Sequence, residues 1–266
     1  MIILLVIGLA CSFVLAQEDE DSEFDGFNYA YAAVLGSGYY SIEGRRALIL
    51  RLPLRTILRQ EDDDRWGIRI IYPATLGWYS LKEDDRLLPD DPTRIGTLSV
   101  APGVEFRRRV TRNWLLKLFV VAGPAKEFAT GDMAWLAATG IGSRLDFSWP
   151  RRKVVLRNYL AYAVNFSNSW LPDDDLAVIN TKVEYLEKVT QRTAIGVMAG
   201  NELYFNEVGI RSPEEIFYIR YRWEAGLSYG AFEGFKWWKF PMPRVSVSYR
   251  WGQDVAGIRV GFHFDY

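Results

Sequence analysis

After residue 26 the chain alternates apolar and polar positions with a period of two, and no segment carries the 3.6-residue period of a helix. In "LILRLPLRTIL" Leu48, Leu50, Leu52, Leu54 and Leu58 share one face, opposite Arg51 and Arg55. "WGIRIIYPATLGW" sets Trp66, Ile68, Ile70, Tyr72, Ala74, Leu76 and Trp78 against Gly67, Arg69, Thr75 and Gly77. "KVVLRNYLAYAVNF" separates Leu156, Leu160, Tyr162, Val164 and Phe166 from Arg157, Ala161 and Asn165. "FYIRYRWEAGLSYG" separates Phe217, Ile219, Tyr221, Trp223, Ala225, Leu227 and Tyr229 from Arg220, Arg222, Glu224 and Ser228. The pattern predicts twelve strands, over 27–38, 45–58, 66–80, 95–108, 114–124, 133–148, 154–167, 176–186, 193–205, 216–230, 243–251 and 255–266.

The composition of the two faces decides where such strands lie. A soluble sandwich turns charges to water and small aliphatics to a core. Here one face is continuously greasy over six or seven positions, while the other mixes Arg and Glu with Gly and Ala. That is the signature of a membrane barrel, with lipid outside and a polar lumen inside. Backbone groups in lipid must all be paired, so the strands have to close into a ring. The expected fold is all-β: a transmembrane antiparallel up-and-down β-barrel of about twelve strands, an even number. Trp66 and Trp78 lie twelve residues apart on one face, roughly 30 Å along the membrane normal at a tilt near 40°. That spacing matches two aromatic girdles, to which Trp114, Trp135, Trp149, Trp170 and Trp251 are assigned as well.

Composition sharpens the picture. The 266 residues are 49% hydrophobic and 24% charged, with net charge −1, which leaves no electrostatic footprint for nucleic acid. Aromatics reach 15%, with ten Trp, enough to populate bands. One Cys and one His all but exclude zinc clusters, disulfide frameworks and Cys–His catalysis. The apolar run "MIILLVIGLACSFVLA" has the length of a signal-peptide core, although no Lys or Arg precedes it. Val14 and Ala16 suit cleavage, giving a signal peptide over 1–16, an acidic periplasmic segment over 17–26 and the barrel over 27–266. A second reading takes "GLAC" as a lipoprotein site at Cys11.

On this face assignment the lumen carries Arg51, Arg55, Arg69, Arg107, Lys117, Arg144, Arg157, Lys182, Arg220, Arg222 and Arg259, against Glu105, Asp146, Glu184, Glu202 and Glu224. Glu105 with Arg107, Arg144 with Asp146, Lys182 with Glu184 and Arg222 with Glu224 each stand two residues apart, so each pair points the same way. Paired charges would knit the wall and narrow the lumen; the surplus of bases would instead favour anions in a porin-like pore. With both termini in the periplasm, "RQEDDDR", "RRVTRN", "PRRK", "KVTQR" and "GAFEGFKWWKFPMP" form the periplasmic turns. "LKEDDRLLPDDPT", "AKEFATGD", "NSWLPDDD" and "NEVGIRSPEE" face outward. These outer loops are acidic, either as a solvated surface or to meet lipopolysaccharide phosphates through divalent cations. "EDDD" at 61–64 breaks the basic pattern of the inner turns.

No catalytic constellation, metal site or cofactor motif emerges. His263 shares the lumen face with Asp265, and reads as a rim residue; a lipid hydrolase built on it is the enzymatic alternative. The acid clusters Asp84–Asp85, Asp90–Asp91 and Asp173–Asp175 read as solvated, since adjacent carboxylates in an extended chain point apart.

The segments "RLPLRTILR", "WGIRIIYPATLGWY" and "GIRVGFHFDY", with the signal peptide and twelve strands, resemble the solitary outer-membrane autotransporter-like barrel family of Gram-negative bacteria. The end of the chain, with Arg259, Gly261, Phe264 and Tyr266, resembles the C-terminal signal read by the barrel-assembly machinery, Tyr266 standing where Phe is usual. The resemblance implies an outer-membrane location among lipids and lipopolysaccharide. Only "QEDEDSEFDG" separates the expected cleavage site from the first strand, so no passenger and no lumen helix are expected. The expectation is a non-enzymatic envelope or surface-interaction barrel, with a narrow anion-favouring channel as the alternative.

Overall fold

A computed structural model describes residues 37–42, 45–62, 64–80, 94–128, 131, 133–166, 174–211, 216–232, 236–237, 240–241, 244–252 and 255–263. Every element is a strand: β1 (Gly38–Ile42), β2 (Arg45–Arg59), β3 (Gly67–Ser80), β4 (Arg94–Val100), β5 (Gly103–Thr111), β6 (Trp114–Glu127), β7 (Met133–Ser148) and β8 (Arg152–Phe166). They continue as β9 (Asp174–Lys188), β10 (Thr193–Arg211), β11 (Ile216–Ala231), β12 (Lys236–Trp237), β13 (Phe240–Pro241), β14 (Arg244–Gly252) and β15 (Val255–His263). Each strand pairs antiparallel with its sequence neighbours around a ring. The ring closes where β1 meets β15, from Gly38 opposite Arg259 to Ile42 opposite Val255. β4 and β5 are one interrupted stave, and β12 and β13 form a small separate hairpin, so the wall has twelve staves. Closure removes the sheet edges that lipid would not tolerate.

Burial inverts the order of a soluble protein. Arg222 is 1% exposed and its neighbour Trp223 48%; Glu184 is 0% exposed and Val183 43%. Charged side chains fill the inside while Leu48, Leu54, Tyr72, Leu227 and Tyr249 stand outside. Only a hydrocarbon surround makes that arrangement favourable.

The predicted strands map onto the ring with instructive differences. β7 covers 133–148 as expected. The first strand was expected over 27–38; the described β1 runs on to Ile42, and residues 27–36 lie outside the described set. The fourth strand, expected unbroken over 95–108, stops at Ala101–Pro102, because a proline has no N–H for the ladder. Its register survives the gap: Thr97 faces Glu127 and Arg107 faces Lys117. "NEVGIRSPEE" was expected as loop, but β10 carries on to Arg211 after a register shift between Leu203 and Val208. A bulge absorbs extra residues without ending the pairing, so polar residues there are not a loop signal.

At the interruption β6 comes unusually near. A Cβ on Gly123 would sit 2.0 Å from the Val100 carbonyl oxygen and 2.8 Å from Ala101 Cα, both backbone. Gly123→Ala is therefore expected to force the staves apart and cost about 1–3 kcal/mol, read by urea unfolding in lipid vesicles.

Candidate functional site

At one end of the barrel, the turn end, β2 joins β3, β5 joins β6, β7 joins β8, β9 joins β10 and β14 begins. Most lumen charges stand in the half nearer that end. Three glutamates organise one wall. Glu184 accepts hydrogen bonds from Arg157 Nη1 (2.9 Å), Ser228 Oγ (2.8 Å) and Arg244 Nε and Nη2 (both 3.1 Å). Glu202 accepts from Asn180 Nδ2 (2.7 Å), Tyr204 Oη (2.9 Å), Arg222 Nε (2.9 Å) and Arg250 Nη2 (3.2 Å). Glu224 accepts from Lys182 Nζ (2.8 Å), Ser248 Oγ, Arg250 Nη2 (3.2 Å) and Arg259 Nη1 (3.4 Å). Arg250 bridges Glu202 and Glu224, tying β14 to β10 and β11. Each carboxylate is buried, so its stability depends on this full set of donors.

The opposite wall receives its counter-charge from a turn. Glu61, between β2 and β3, folds into the lumen with a side chain 3% exposed, and meets Arg69 Nη2 and Arg107 Nη1 at 3.2 Å each. Gly67 makes the entry possible: a Cβ there would lie 2.6 Å from Glu61 N and 2.9 Å from its Cβ. Asp62 and Arg65 exchange backbone hydrogen bonds that hold the turn. Burial alone would raise the Glu61 carboxyl above its ordinary value. A hydrogen bond involving its own backbone, with the fields of Arg107 and Arg69, brings it below instead. A second inward element, Phe232, packs on Val155, Leu186 and Ala194 just past β11, beneath Lys188 Nζ at 5.2 Å. The turn end is thus narrowed by an ionic latch on one side and an apolar plug on the other.

Between them lies a run of like charges. Arg107 faces Lys117 across β5 and β6, and Arg144, Arg157 and Lys182 face one another across β7, β8 and β9. Like charges directly opposite are destabilising unless anions intervene. Asp146 meets Arg144 at 2.8 Å and Lys153 at 3.2 Å, and Glu105 meets Arg107 at 3.3 Å. Among the described residues Lys117 makes no hydrogen bond or ion pair, and Arg69 Nε and Nη1 have no partner. The wall retains an excess of positive charge. Phe119 and Tyr159 stack at 5.6 Å across Gly140, filling the space its missing side chain leaves.

No family model and no curated protein matches the sequence. Solved structures do match. The translocator domain of the autotransporter NalP from Neisseria meningitidis is 13% identical over 86% of this chain and 85% of its own, with TM-score 0.56. The β domain of the Bordetella autotransporter BrkA is 10% identical over 86% and 96%, with TM-score 0.55. The transport unit of AIDA-I from Escherichia coli is 12% identical over 98% and 97%, with TM-score 0.50. The chain has the fold of an autotransporter translocator barrel.

On this translocator-type barrel, Arg69, Arg107, Lys182, Glu184, Arg222 and Glu224 are buried inside. Arg51, Glu105, Lys117, Arg144, Asp146, Arg157 and Arg259 are half-buried. Arg55 and Arg220 are exposed. Of the four same-strand pairs, Glu105–Arg107 and Arg144–Asp146 bond as such. Lys182 instead reaches over Gly200 of β10, which has no side chain, to Glu224, and Arg222 bonds Glu202, its direct partner on the neighbouring strand. Trp66, Trp114 and Trp149 stand at the turn end; Trp78, Trp135 and Trp251 stand at the other. Trp223, directly opposite Trp251, joins the second band. Trp170, Phe264 and Tyr266 lie outside the described residues. Gly261 accepts from Ser246 Oγ at 3.5 Å, and the backbone of His263 pairs with Arg244.

Sequence reasoning passed over Lys153, Arg244, Arg250 and Glu61 among the lumen groups. Arg244 and Arg250 were readable from "RVSVSYRW", where Val245, Val247, Tyr249 and Trp251 alternate with Arg244, Ser246, Ser248 and Arg250. Glu61 had one signal, the acidic exception among basic turns.

Proposed function

We propose that this protein is an integral outer-membrane barrel of the bacterial envelope, made with a signal peptide cleaved near Ala16 and inserted by the barrel-assembly machinery. Its lumen is braced shut by its own side chains, it carries out no enzymatic reaction, and its outer loops meet lipopolysaccharide or external partners. The observation that carries this reading is the interior network of Glu184, Glu202 and Glu224 with Arg157, Lys182, Arg222, Arg244, Arg250 and Arg259, joined to the Glu61 latch. Paired, buried charges occupy the space an open pore would leave to water. The outward apolar wall and the translocator-type fold support the location.

The cation run over Arg107, Lys117, Arg144, Arg157 and Lys182 favours a second reading, a narrow channel for small anions. Planar-bilayer conductance separates the two. The wild-type barrel is expected to show no steady openings. Anion-selective openings that vanish on Arg→Ala changes at Arg51, Arg69 and Arg157 would replace the closed barrel with the channel.

A further inference from the structure

On the outer wall near the turn end, Trp66, Arg108, Val110, Leu116, Leu118 and Ile141 border a concavity of about 300 Å³. The register builds it from three strands: Arg108 lies directly opposite Leu116, and Leu118 directly opposite Ile141. The Arg108 guanidinium carbon stands 5.8 Å from the centre of the Trp66 ring. The groove therefore has a cationic, aromatic rim beside the turns and an apolar floor running toward mid-membrane.

The charge at this rim differs from others on the same wall. Arg152, exposed at the turn end, is paired with Glu187 at 3.1 Å, and Tyr185 also donates to that carboxylate. Arg108 is exposed, and among the described residues it meets no acid. A guanidinium on a lipid-facing wall is tolerated near the interface, where a phosphate can neutralise it through two parallel N–H bonds. The indole of Trp66 sits at the headgroup level such rings favour. The other lining groups, Val110, Leu116, Leu118 and Ile141, offer acyl chains a surface but no hydrogen-bonding group.

We infer that this groove is a binding site for one anionic phospholipid, its phosphate on Arg108 beside Trp66 and an acyl chain along Val110, Leu116, Leu118 and Ile141. The inference rests on the membrane-barrel reading, since only a wall facing the bilayer presents its concavities to lipid. Turn-end placement assigns the lipid to the periplasmic leaflet and not to lipopolysaccharide.

The mature chain, refolded in a zwitterionic detergent, is titrated with dioleoyl-phosphatidylglycerol, dioleoyl-phosphatidylcholine or lipid A, and retained lipid is counted by native mass spectrometry. One phosphatidylglycerol is expected to be held in preference to phosphatidylcholine. The Arg108→Ala variant is expected to lose about tenfold in its affinity. Ile141→Trp, which fills the groove and keeps the Arg108 charge, is expected to lose it as well, while Arg152→Ala binds as the wild type does. Equal retention of the two lipids by the folded wild type would overturn this site alone, as would stronger retention of lipid A than of phosphatidylglycerol. A wild type that stays soluble and monomeric without detergent would overturn the membrane reading and the site together.

Discussion

Glu224→Ala is expected to destabilise the barrel by about 3–5 kcal/mol, because it leaves buried cations without their counter-charge. The Glu224 side chain is 5% exposed and takes bonds from Lys182, Arg250 and Arg259, themselves drawn from β9, β14 and β15. Removing it takes a carboxylate from Lys182, from Arg259 and from Arg250, which keeps its bond to Glu202. Ser248 loses its acceptor as well. Glu224→Gln keeps an oxygen for Ser248 but no charge, so its loss should fall between wild type and Ala. Urea unfolding in lipid vesicles, followed by tryptophan fluorescence, reads the difference. Glu187→Ala supplies the contrast: the pair with Arg152 is solvent-exposed, and no measurable change is expected. If Glu224→Ala behaves like Glu187→Ala, the interior charges are not holding the staves together.

Glu61→Ala is expected to convert a silent barrel into one that conducts anions in planar bilayers. The substitution removes the carboxylate shared by Arg69 and Arg107, so the turn loses its hold and both guanidiniums face the lumen. Gly67→Val should do the same with every charge retained, since its Cβ would occupy the position of the Glu61 backbone. Acid should mimic both. The Glu61 carboxyl lies below its ordinary 4.5 in the folded protein, so the latch contributes in full above that pH. Its contribution is lost as the pH falls through the lowered value, and the wild type should begin to open only there. Conductance of Glu61→Ala indistinguishable from wild type at neutral pH would show that the latch closes nothing.

The alternation was enough to place most of the wall. A strand turns successive side chains to opposite faces, so Arg222 beside Trp223 and Glu184 beside Val183 declare their sides without any knowledge of neighbours. The exposed outer leucines and the two tryptophan bands follow from the same local rule. So do the ends of β7, where the period of two starts and stops cleanly. Interruption at Pro102 was written in the chain too, though a period of two carries straight across it.

Partner choice was not local. Glu184 bonds Arg244, sixty positions away, because β9 and β14, three staves apart, turn these side chains into one curved interior. Lys182 prefers Glu224 to its own neighbour Glu184 for the same reason. Which opposites meet depends on strand register and on the curvature of the closed ring, and both are properties of all twelve staves together. Glu61 depends on the tertiary structure most of all: a carboxylate in a polar turn reads as solvated until Gly67, Arg69 and Arg107 provide a space and two charges for it. The sequence determined which side of the wall each residue would face, because backbone geometry acts over two residues. Tertiary structure decided which charges meet and where the lumen narrows, because those contacts exist only once the ring is closed.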